Sequence, residues 1–217
     1  MISIISAYYG NEEMTVQFLD NLERTCKGMD VEMILVNSES KDIKHPFIDK
    51  YIYNPKNQSF SHSMNLGLKV ATGEYLIIIG NDGFPMHEGW IEQLTTVLED
   101  LPNVMIVAPV WDKPNFSVYK HLVLSETDNG AFMKMIPAVC WCMRKVDFDK
   151  IGYFDEQYIG GCYEDNDYCM RVLSIGGEIY VNKKCKIIHF LSQTIGKMNV
   201  NKFMNDNNER FRKKWGL

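Results

Sequence analysis

Three carboxylates fall within four residues at Glu164-Asp165-Asn166-Asp167, directly after a turn built on Gly160-Gly161. Tyr168, Cys169, Val172 and Leu173 continue the stretch at helical spacing, and Gly176-Gly177 supplies a stop. The acids therefore stand at a helix start, where unpaired backbone N–H groups and the helix dipole favour negative charge. Two uses fit that position. Asp165 can cap the helix while Asp167 pairs with Arg171 one turn on, acid first. Alternatively, one carboxylate serves as a general base toward a hydroxyl.

A second candidate is Asp82, in Gly80-Asn81-Asp82-Gly83 after the apolar run Tyr75-Leu76-Ile77-Ile78-Ile79. Asn-Asp-Gly is a turn sequence, and it is equally a place where one carboxylate could hold a divalent cation that also takes phosphate oxygens and water. His189, followed by Ser192 and Thr194, ends a short apolar run. Imidazole suits manganese, and a lone histidine also serves structure. Asn37, with Ser38-Glu39-Ser40, offers hydrogen-bonding groups to a base or ribose, or forms a polar turn.

The apolar pattern predicts the elements that must position these groups. Strands are expected over 2–7, 32–36, 50–53, 75–79, 104–109, 138–144 and 187–190, and helices over 12–25, 61–70 and 90–98. The stretch 111–136 is less regular, with a polar patch at 125–130, and reads as an excursion covering one side of the site. A polar helical tail follows from 199. The β-α-β-α-β rhythm predicts an α/β fold with a doubly wound, mostly parallel sheet. Such sheets bind ligands beyond the carboxyl ends of their strands, so the loops after Ala7, Val36 and Ile79 should form the site.

Composition bounds the function. At 217 residues the chain fits one domain, read as halves 1–109 and 110–198 with a tail at 199–217. A net charge of −5 argues against a nucleic-acid binder. The basic run Arg210-Phe211-Arg212-Lys213-Lys214-Trp215 could meet a membrane surface or an anion, or end a helix in solvent. None of the six cysteines forms a C-x-x-C pair, which argues against a zinc knuckle. No run approaches the ~20 apolar residues of a membrane span, and the amino terminus lacks the basic start of a signal peptide. A cytoplasmic location is expected. Trp111 and Trp141 are candidate sugar-stacking surfaces on the acceptor side, with packing as the alternative.

Taken in order, these segments resemble the family 2 glycosyltransferases, which have the GT-A fold and use sugar nucleotides. Ile2-Ser3-Ile4-Ile5-Ser6-Ala7-Tyr8-Tyr9 resembles the family's opening strand, and Val36-Asn37-Ser38-Glu39-Ser40 its second strand ending. Asn65-Leu66-Gly67, then Ala71-Thr72-Gly73-Glu74-Tyr75, resemble the run before the metal motif, whose place Gly80-Asn81-Asp82 takes. Ile151-Gly152-Tyr153-Phe154-Asp155-Glu156, the acidic cluster and Lys214-Trp215-Gly216 complete the likeness.

The resemblance implies a mostly parallel central sheet flanked by helices, with a smaller mixed sheet on the acceptor side. It implies an inverting, metal-dependent transferase of polysaccharide biosynthesis, using Mn2+ or Mg2+, a UDP- or dTDP-sugar donor and a glycan or other hydroxyl acceptor. Asp82 would hold the metal, with His189 as second ligand. Asp165, or Glu164 beside it, would be the base. Ala7, Tyr8, Asn37, Glu39, Asn65 and Asn81 would line the donor pocket. Gly80 stands where many members carry an acid, and Asn37 where an aspartate is commoner. Those departures motivate a competing expectation, a catalytically silent sugar-nucleotide or glycan-binding module. Acceptor-binding or membrane-docking elements, if needed, are expected on a partner or another domain.

Overall fold

The computed structural model describes residues 1–111, 116–190 and 201–217; Ser192 and Thr194 lie outside them. The core of the fold is a single ten-stranded mixed sheet. β1 (Ile2–Tyr8) runs parallel between β2 (Val31–Ser38) and β4 (Tyr75–Ile79), and β3 (Lys50–Asn54) extends β2 in the same direction. β9 (Cys140–Arg144) then lies antiparallel to both β4 and β6 (Val104–Trp111). β10 (Glu178–His189) is parallel to β6. The hairpin of β7 (Val123–Glu126) and β8 (Gly130–Met133) closes the far edge, and β5 (Gly83–Pro85) pairs antiparallel with the end of β10.

The expected α/β fold is observed, with one difference of detail: the sheet is mixed, and its strands join in one sheet. Cys140, Trp141, Cys142 and Met143 are all fully buried, so β9 is apolar enough to pair on both sides and weld the halves together. The excursion holds more order than its composition suggests, because the polar patch is the turn of the β7–β8 hairpin, closed by Thr127 N–H to the Gly130 carbonyl at 2.8 Å.

Helices cover the sheet. α1 (Glu12–Thr25) follows β1 and packs against β5, and α2 (Phe60–Leu68) lies on β1 and β2. A Cβ at Gly67 would come within 2.4 Å of Ile5 Cγ2, so glycine here lets α2 approach the sheet. α3 (Trp90–Asp100) packs on β6 and β10, α4 (Lys145–Ile151) on β9, and α5 (Glu164–Ser174) on β10. No described helix is long and apolar enough to cross a membrane.

Glu32 ties the start of β2 to its neighbours. It accepts from Ser3 Oγ at 2.5 Å and Thr72 N–H at 2.6 Å, and pairs with Lys50 Nζ at 2.5 Å. Burial alone would raise its carboxyl, but these partners outweigh burial and hold it at about 2.

The tail helix α6 (Asn201–Trp215) is docked through the last residues of its basic end. Lys214 Nζ pairs with Asp155 at 2.9 Å and Asp167 at 2.8 Å, and Trp215 Nε1 donates to Asp167 at 3.0 Å. The buried Asp167 also pairs with Arg171 at 3.1 Å, as the spacing predicts.

Candidate active site

β1 has β2 on one side and β4 on the other, so connections leave the sheet in opposite directions and a crevice opens beyond the carboxyl ends of these strands. A cleft of about 260 Å³ lies there. Its wall includes Ala7 and Tyr8 from the end of β1, Asn81 and Asp82 after β4, His189 at the end of β10, and Glu164 and Asp165 at the start of α5. Four stretches distant in sequence therefore converge at one place.

The meeting of Asp82 and His189 follows from strand pairing. β5 begins at Gly83, whose register partner on β10 is His189, and Phe190 N–H donates to the Asp82 carbonyl at 2.9 Å. This sets His189 Nε2 3.5 Å from Asp82 Oδ2, with both side chains mostly buried. A carboxylate oxygen and an imidazole nitrogen this close, facing the cleft, fit a divalent cation that completes its shell with water or phosphate oxygens. Asn81 is held by its Nδ2 donating to Thr15 Oγ1 at 2.9 Å.

In the same cleft, α5 begins at Glu164, with Tyr163 as its N-cap in a left-handed conformation (φ 71°) and no side-chain cap. The capping role considered for Asp165 is therefore corrected: Asp165 is the second helical residue, and its Oδ1 accepts the N–H of Asn166 at 2.8 Å. Glu164 is buried, and its Oε2 accepts no hydrogen bond from the described residues. Burial, then the neighbouring Asp165 charge, push Glu164 up to about 8. Burial also raises Asp165, but backbone hydrogen bonds from Asn166 and Ala138 oppose the rise. Burial thus disfavours charge on both members of the pair, and Asp165 is the more exposed of the two carboxylates.

Several expected residues stand elsewhere. Asn37 is fully buried behind the cleft: its Nδ2 donates to Ser40 O, Asp42 Oδ1 and Tyr51 Oη, and its Oδ1 accepts from Ser40 N–H. Its neighbour Ser38 faces the cleft instead, because successive strand residues point to opposite sides. Glu39, at φ 56°, lines an adjoining shallow hollow with Tyr9, Gly10 and Lys41. Asn65 is a buried tie that exchanges hydrogen bonds with the Phe154 backbone at 2.9 and 3.0 Å.

The two acceptor-side tryptophans are core residues. Trp141 is fully buried, stacked on Phe154 and donating to the Pro137 carbonyl, and Trp111 is 3% exposed beside Tyr119. Neither lines the cleft. The hydroxyl of Tyr8 is also committed, to the Lys41 carbonyl at 2.8 Å, so this residue offers the cleft no free phenol. Sequence reasoning passed over Ser59 and Ser63, which line the cleft from α2, and the wall formed by Pro137, Ala138 and Val139. The serine spacing 59–63, one helical turn, was the available signal.

Residues 3–148 match the family described as Glycosyl transferase family 2. The chain belongs to that family. Similar solved structures carry the same fold. A mannosyltransferase from Pyrobaculum calidifontis, PcManGT, in complex with GDP-Man and Mn2+, superposes with a TM-score of 0.72 at 16% identity, over 89% of this chain and 57% of that one. GalNAc-T7 with UDP, GalNAc and Mn2+ gives 0.72 at 12%, over 87% and 43%. S. aureus TarS residues 1–349 give 0.68 at 15%, over 87% and 60%. This chain thus spans about half the length of these relatives. No curated protein matches it in sequence. The family 2 chain is a GT-A-type α/β fold in which the cleft stands at the sheet's switch point.

Proposed function

We propose that the chain transfers a sugar from a nucleoside-diphosphate donor to a hydroxyl acceptor with inversion at the anomeric carbon. The observation carrying this reading is the convergence of the Asp82–His189 pair and the Glu164–Asp165 pair on one cleft. Asp82 and His189 would hold Mn2+ or Mg2+, and imidazole favours the former. When bound, the ion neutralises charge on the leaving diphosphate.

Asp165 accepts the acceptor's hydroxyl proton as that oxygen attacks the anomeric carbon, and the carbon–oxygen bond to the diphosphate breaks on the opposite face. Burial favours the protonated form of Glu164, which leaves Asp165 the charged member of the pair, while Asp167 in the same turn is paired with Arg171 and Lys214. Ser38 and Ser63, whose hydroxyls lie 2.7 Å apart, and Ser59, which caps α2 by accepting from His62 N–H, shape the cleft as a neutral polar wall held by its own hydrogen bonds. A UDP- or dTDP-sugar is the donor that the resemblance supports, and the GDP-Man of one structural neighbour defines the competing arm of a screen.

The test is nucleoside-diphosphate release from a panel of sugar nucleotides, with and without Mn2+. Release that needs the metal, and falls at least ~10²-fold in D165N, is the expected result. Full activity in D165N would assign the base elsewhere. Donor binding without transfer to any acceptor would favour a silent binding module.

A further inference from the structure

The loop that delivers Glu164 and Asp165 is unusual in its backbone. Gly160, Gly161, Cys162 and Tyr163 have φ values of 77°, 117°, 77° and 71°, four successive residues in the left-handed half of conformational space. Two of them carry side chains, at a cost of about 1–3 kcal/mol each, so surrounding contacts must impose the conformation.

Those contacts come from α6. Asn207, 3% exposed, directs its Nδ2 at the carbonyls of Ile159, Gly161 and Cys162 at 3.0, 3.1 and 3.1 Å. One amide group thereby gathers three carbonyls of a single four-residue stretch around itself. One helical turn to either side, Phe203 fills the space over Gly160, where a Cβ would come within 2.5 Å of its ring, and Phe211 packs on Tyr163 at 5.5 Å. Lys214 and Trp215 then fasten α6 to Asp167, inside the first turn of α5. The helix grips the loop before the acids and the helix after them.

We infer that Asn207 is a positioning residue for the Glu164–Asp165 pair, and that α6 is the brace that holds the strained loop in its catalytic shape. The inference rests on the functional reading above and adds to it a residue that never meets substrate. Asn207 does not line the cleft, and its amide bonds go to the loop, not to Asp82 or His189, so donor binding should survive its loss while the chemical step suffers.

The experiment compares wild type, N207A and N207D by steady-state kinetics and by amide hydrogen exchange without ligand. In N207A, kcat is expected to fall about 10²-fold, the cost of misplacing a reacting group by roughly 1 Å, with the donor KM within about twofold. Amides of residues 160–165 should exchange faster while those of β1 and β4 keep their protection. N207D, which turns a carboxylate toward three carbonyl oxygens, should lose more. Unchanged kcat or unchanged exchange in N207A would overturn the inference, as would a proportional loss of protection over the whole fold. A wild type that transfers no sugar would overturn the functional reading itself, a result distinguishable from active wild type with unaffected variants.

Discussion

Gly80 is the residue where this chain parts from the common metal motif, and the structure supplies a physical consequence. A Cβ at this position would stand 2.8 Å from Asp82 Oδ1, so a side chain here displaces the one carboxylate that faces His189. G80A is therefore expected to lower the apparent affinity for Mn2+ about 10-fold, the scale on which groups that orient a ligand act, with little change in Tm. Titrating Mn2+ into a transfer assay measures it, and unchanged metal dependence would remove Asp82 from the ligand set. Asn37 departs from the family pattern for a different reason. Its amide donates to Asp42 Oδ1 at 3.2 Å, where an aspartate would set two carboxylates face to face.

At the scale of elements, the carboxylates have two opposite electrostatic roles. Glu32 joins β1, β2 and the turn before β4, and its partners depress its pKa to about 2. The folded value lies below the unfolded one, so the stabilisation is complete above about pH 4.5 and is lost as pH falls toward 2. E32Q should cost on the order of 2–3 kcal/mol at pH 7, with the deficit shrinking below pH 4; urea denaturation at both pH values measures this. A deficit independent of pH would mean that Glu32 acts through shape alone.

Elements were largely legible from apolar spacing: β4 and α1 occupy the expected ranges, and β1, β2 and α3 differ by a few terminal residues. β5 was not legible, since three residues, Gly83–Pro85, carry no periodicity and become a strand only by pairing with β10. The brace was hidden in a similar way. Phe203, Asn207 and Phe211 recur at helical spacing, but an asparagine between two aromatics on a polar helix reads as surface until its partners are known.

For the molecule as a whole, the burial of Glu164 sets a stability cost that depends on pH. Its folded pKa of about 8 lies above the unfolded value, so keeping it buried costs nothing below about pH 4.5 and progressively more as pH rises toward 8. The Tm of E164Q relative to wild type is thus expected to climb between pH 5 and 8, reflecting removal of a penalty on the order of a few kcal/mol. A constant difference would show that Glu164 ionises in the fold as it does in water. The same cleft draws three carboxylates and one imidazole, and no lysine or arginine, from the described residues. A diphosphate meets repulsion there unless a cation accompanies it.

By itself the sequence determined the α/β alternation, because strand ends and helix starts are written in local spacing, and its motifs pointed to the family and to the acidic stretches at Asp82 and Glu164–Asp165 that meet in the cleft. Only the tertiary structure decided which side chains face the cleft. Ser38 rather than Asn37 does so, Trp141 and Trp111 turn into the core, and His189 reaches Asp82. Orientation about a strand or helix is set by what packs on each face, and here those partners come from segments far away in the chain. The left-handed turn before Glu164 shows the same dependence, since its backbone is disfavoured locally and is held in place by contacts from a helix some forty residues later.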